Sequence, residues 1–122
     1  MRMEEFEKLV EKAISDLPVK FKKRMENVAV VVEDEPSSEI LQKMGLSSKH
    51  TLLGLYQGVP LSKRDSNYCN VLPDKITIFK KPIEALNQNN SLLKERIKEV
   101  VMHEIGHYFG MNEAELEQIE KE

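Results

Sequence analysis

Late in the sequence, the run Val101-Met-His-Glu-Ile-Gly-His-Tyr-Phe-Gly-Met-Asn-Glu113 places His103, Glu104 and His107 in a spacing that suits metal chemistry. On an α-helix, residues four apart are separated by about 40° around the axis and about 6 Å along it, so both imidazoles project from one side. Neutral imidazole nitrogen is a good zinc ligand, and a carboxylate beside the first histidine can reach a water activated by the metal without binding the metal itself. Such a carboxylate accepts the proton of that water as it attacks a carbonyl, as a general base. In a chain with 3 histidines and 17 glutamates the pattern arises by accident about once in a hundred sequences, so its setting has to be weighed as well.

The setting is a helix. Apolar spacing predicts one from Leu92 to about Phe109, with Asn90 or Ser91 as its cap and Gly110 as its stop. Leu93, Ile97, Val101 and Tyr108 fall within a sector of about 100° on the helical wheel, and Glu104 lies inside that stripe with the histidines flanking it. A carboxylate among apolar side chains is costly unless it faces a cleft or a metal site. Gly106 removes a side chain between Glu104 and His107. Hydrolytic zinc usually has three protein ligands and an open position. On a continued helix, residue 113 would lie about 9 Å beyond His107 along the axis, but a left-handed glycine at 110 turns the chain back. Glu113 is therefore the expected third ligand. The competing carboxylates, Glu115, Glu117, Glu120 and Glu122, require a longer return path.

Upstream, Phe6, Leu9, Val10, Ala13, Ile14 and Leu17 recur at helical spacing, and Pro18 restarts the chain into a short basic helix reaching about Glu26. The β-branched run Val28 to Val32 reads as a buried strand. A short helix from Ser37 to Met44 stops at Gly45, and a second strand spans Thr51 to Tyr56. The polar stretch 62–71 is the longest expected loop. Ile76 to Phe79 gives a third strand, which Lys80-Lys81-Pro82 marks as a sheet edge open to an extended peptide. An acidic helix is expected over 113–122. The order of elements predicts one small α+β domain spanning 1–122.

With 122 residues, 40% hydrophobic and 32% charged, the chain suits one modest core and is too apolar for a disordered protein. A net charge of −3 gives no pull toward nucleic acid, and the basic cluster Lys20, Lys22, Lys23 and Arg24 reads as the solvated side of a helix. The longest apolar run is far short of a bilayer span, and residues 1–12 lack the apolar core of a signal peptide. The single cysteine, Cys69, forms no internal disulfide, and a cytoplasmic location is expected. Cys69 has no evident activating partner, His50 reads as a loop residue, and Arg64 and Asp65 could shape a cleft rim.

The motif His103-Glu-Ile-Gly-His107-Tyr-Phe-Gly110-Met-Asn-Glu113 resembles the extended zinc motif of the zincins. Together with 28–34, 53–61 and 72–79, it makes nearly all of 4–118 similar to the short bacterial zincin-like metallopeptidases. The resemblance implies a minimal zincin fold, a small mixed sheet packed on the motif helix. It implies one Zn2+ per chain held by His103, His107 and Glu113, with Glu104 as general base in a peptidase acting on peptides or proteins. Two features depart from the better-known metzincins: Glu113 replaces a third histidine, and nine residues follow it where a methionine turn would stand. No tyrosine or histidine lies beyond the motif to stabilise an oxyanion. The alternative is a zincin fold used as a non-catalytic binding module or structural metal domain.

Overall fold

Phe6, Val10 and Ala13 are buried along one face of helix α1 (Met3–Ser15), as their spacing requires. The computed structural model describes residues 1–22, 28–46, 52–58, 74–86, 89–110 and 114. The Pro18 carbonyl accepts from Phe21 and Lys22 as the chain re-enters helix at α2 (Val19–Lys22). Phe21 is buried there, its ring stacked on Phe109 with centroids 5.3 Å apart. Strand β1 (Val28–Glu33) follows, then helix α3 (Ser38–Lys43), capped by the Ser37 hydroxyl accepting from the Ile40 amide at 3.2 Å. Strands β2 (Gly54–Gln57) and β3 (Asp74–Phe79), helix α4 (Lys80–Leu86) and helix α5 (Asn90–Tyr108) complete the described elements.

The sheet order is β1-β3-β2, with β1 parallel and β2 antiparallel to β3. Ile76 and Ile78 of β3 point into one core with α1 and α5. Their register partners Val30, Val32 and Tyr56 pack on the same core from the neighbouring strands. The architecture is the expected α+β fold, one mixed three-stranded sheet against a layer of helices.

Three local expectations are corrected. Strand β3 lies at the centre of the described sheet and β1 at its edge, the reverse of the sequence reading. A continuous apolar run does not separate edge from centre, and Val30 to Val32 are only half-buried. Lys80-Lys81-Pro82 does not blunt an edge; it starts α4, a helix absent from the sequence reading. Pro82 fits the first turn because amides there have no helical acceptor. Lys80, 8% exposed, donates to Glu84 one turn on at 2.7 Å. The α5 cap is Asn89, whose side-chain oxygen accepts from the Leu92 amide at 2.9 Å, one residue earlier than expected.

Several expected features lie outside the described residues. They are the loop 62–71 with Arg64, Asp65 and Cys69, His50, Lys23 and Arg24, and Glu113 with the acidic helix, of which Ala114 alone is described and is helical.

Candidate metal centre

Helix α5 is the longest described element, and it carries the whole of His103-Glu104-x-x-His107 on its last turns. Leu93, Ile97, Val101, Ile105 and Tyr108 are buried and fix its rotation against α1 and the sheet. That rotation leaves His103 and His107 half-buried at the rim and draws Glu104 in to 8% exposure. Nitrogen atoms of the two imidazoles and a carboxylate oxygen of Glu104 lie within 4.8 Å of one another. The rings meet edge to face, with centroids 4.7 Å apart and planes at 74°. Two imidazoles at this separation, with a carboxylate beside them, are a donor set that fits zinc.

The helix ends as the third-ligand argument requires. Gly110 has φ 78, and its amide donates to the His107 carbonyl at 2.9 Å. This is one of the two bonds of a Schellman stop, for which a residue without Cβ is favoured. The chain thus turns at the position from which Glu113 would return.

Strand β2 roofs the motif helix. Gly54 sits so close to α5 that a Cβ there would stand 2.9 Å from Val100 Cγ1 and 3.0 Å from Glu104 Cγ. A glycine inside a strand is a sign of such close approach, and that is the one signal in the sequence for Gly54 as a site residue. Tyr56, two residues on, faces the same side. Its ring edge meets Tyr108 at 5.9 Å, and its hydroxyl donates to the buried Asp74 carboxylate at 2.7 Å. Only the tertiary pairing of β2 with β3 brings Tyr56 and Asp74 together.

Two cavities open on either side of this crossing. One, of about 450 Å³, is bounded by Met44, Leu52, Leu55 and Tyr56 above the two histidines and Glu104. The other, of about 350 Å³, runs N-terminally along α5 past His103 and Glu104 to Val100, Glu99 and Arg96, with Leu52 to Gly54 as its far wall.

A mixed sheet laid across a helix that presents two histidines and a glutamate to a cleft is the architecture of a zincin. The chain belongs to the zincin-like metallopeptidase family, whose sequence profile matches residues 25–122. That match spans all three strands and the motif helix. No curated protein matches the chain significantly. No helix among the described residues is long and apolar enough to cross a membrane.

Proposed function

We propose that this chain is a zinc-dependent peptidase in which His103, His107 and Glu113 hold one metal ion and Glu104 is the general base. The observation that carries the reading is the convergence of two imidazoles and a buried carboxylate, within 4.8 Å, on a cleft open to solvent. Zinc, when bound, supplies a Lewis acid for the substrate carbonyl and lowers the pKa of a water to about 7. Glu104 takes the proton from the attacking water and delivers it to the leaving amine. Packing against Gly54 holds its side chain at the roof of the cleft. Tyr56 forms a wall, its hydroxyl held by Asp74.

The peptide is held by β2 rather than by the strand 76–79 favoured from sequence, which is central. The Phe79 amide donates to the Leu53 carbonyl at 2.9 Å, so residues 53 and 79 form a hydrogen-bonded pair. Their alternation along an antiparallel ladder turns the amide and carbonyl of Gly54 away from β3. An extended substrate laid along that side gains main-chain hydrogen bonds and brings its carbonyl over the histidines. A single thiol suits a reducing cytoplasm.

The test is the zinc-loaded protein beside its Glu104→Gln variant on a broad peptide library. Glu104→Gln retains fold and zinc but loses cleavage by at least about 100-fold, because an amide does not accept the proton. Equal inertness of both proteins would show a zincin fold used as a binding module.

A further inference from the structure

The smaller cavity carries information on what the cleft selects. Its inner end is the metal motif and its outer end is Arg96. At about 100° per residue, Arg96 falls within about 20° of both His103 and His107 on the wheel, between the two. It therefore stands on the line of the histidines, about 10 Å before His103 along the helix axis. Glu99 also lines this cavity, but it lies about 40° beyond His103 on the side away from His107. The Arg96–Glu99 contact is 3.3 Å long, between side chains 41% and 57% exposed. An ion pair so open to water holds the guanidinium weakly, and Arg retains further N–H donors in a fork matched to a carboxylate. Among the described residues lining the two cavities, Arg96 is the only lysine or arginine. The apolar walls Leu52, Leu53 and Val100 lead a substrate group toward it.

We infer that Arg96 is a specificity-determining residue which binds a carboxylate of the peptide, within about three residues of the scissile bond on the side of the smaller cavity. The span follows from the 10 Å separation, since an extended chain rises about 3.3 Å per residue. The inference rests on the cleft being a peptide site, as proposed above. The carboxylate is either an acidic side chain or a free C-terminus, and the two sources are separable.

The experiment measures retention on the zinc-loaded full-length Glu104→Gln protein, so that binding is read without cleavage. Three N-acetylated randomised decapeptide libraries serve as probes. The first contains Asp and Glu and is C-terminally amidated; the second has Asn and Gln instead, also amidated; the third matches the second with a free C-terminal carboxylate. Retention of the first or third exceeds that of the second by about 10- to 100-fold, the worth of one charge-assisted contact. Excess in the first assigns an acidic side chain, and excess in the third a terminal carboxylate. Arg96→Ala and the longer Arg96→Gln, added separately to this protein, remove the excess while zinc content and melting temperature stay unchanged. Equal retention of the three libraries, or an excess that survives both substitutions, overturns the inference. Failure of the unsubstituted enzyme to cleave any library counts against the peptidase reading instead, and the retention ratio still decides the role of Arg96.

Discussion

Replacing Gly54 by alanine tests the crossing on which the site depends. The added methyl would stand 2.9 Å from Val100 Cγ1, 3.0 Å from Glu104 Cγ and 3.3 Å from the Thr77 carbonyl oxygen. Carbon atoms settle at about 3.5–4.0 Å, so two contacts are short by at least about 0.5 Å. Val100 is buried and β-branched, with little rotamer freedom on a helix, and the Thr77 carbonyl belongs to the central strand. Strand β2 must therefore lift, or Glu104 must swing. Overpacking of this kind costs about 1–3 kcal/mol, measured as the shift in urea midpoint at unchanged m. Zinc affinity stays near that of the unsubstituted protein, since neither histidine is among the three atoms nearest the methyl. Peptide cleavage falls by about 10- to 100-fold, because a displacement of about 1 Å misaligns the base. Val100→Ala in the same chain removes the shortest contact and recovers about 1 kcal/mol as a coupling energy in the double-mutant cycle. A Gly54→Ala protein as stable and active as its parent, or two substitutions whose costs simply add, would refute the close-approach argument.

His103→Ala and His107→Ala each abolish zinc binding, read by metal analysis after dialysis. Glu113→Ala weakens zinc by about 100-fold or more, and Gly110→Val does nearly as much without removing a ligand, because a β-branched residue resists φ 78. If Glu113→Ala binds zinc normally while Glu117→Ala, Glu120→Ala or Glu122→Ala does not, the third ligand has been misassigned. Glu84 supplies a pH test. Burial raises its pKa, but hydrogen bonds and charge from Lys80 and the Met1 ammonium, at 2.7 and 3.2 Å, outweigh burial and hold it below its ordinary 4.5. A carboxyl lowered on folding stabilises fully above its unfolded value and loses that contribution as pH falls through the lower, folded value. The stability gap between the parent and Glu84→Gln is therefore constant near neutrality and closes below about pH 4.5. A gap independent of pH would refute the ion-pair account.

The motif helix was legible because its chemistry and packing are both local. Four-residue spacing alone puts His103 and His107 on one side, the apolar stripe alone predicts that Glu104 is drawn inward, and Gly110 alone marks the turn. Their counterparts in the structure are the 4.8 Å cluster, the 8% exposure of Glu104 and a φ of 78. Sheet order was not legible. Val28 to Val32 reads as more buried than Ile76 to Phe79, yet β3 is the central strand, because two other strands find it and none of that pairing is encoded at sequence-local range. The reason is different for α4. Its lysines and proline are edge signals for a strand and equally good first-turn residues for a helix, and the local i,i+4 spacing of Lys80 and Glu84, which form an ion pair in the helix, is a weak signal beside them. Gly54 and Tyr56 join the site only when β2 crosses α5, and the same crossing gives Arg96, already on the line of the histidines, the far wall of its cavity. Short-range periodicity thus determines which residues can act together along one element. Which elements meet depends on long-range burial, and that alone brings a glycine and a tyrosine to a metal motif dozens of residues away in the chain.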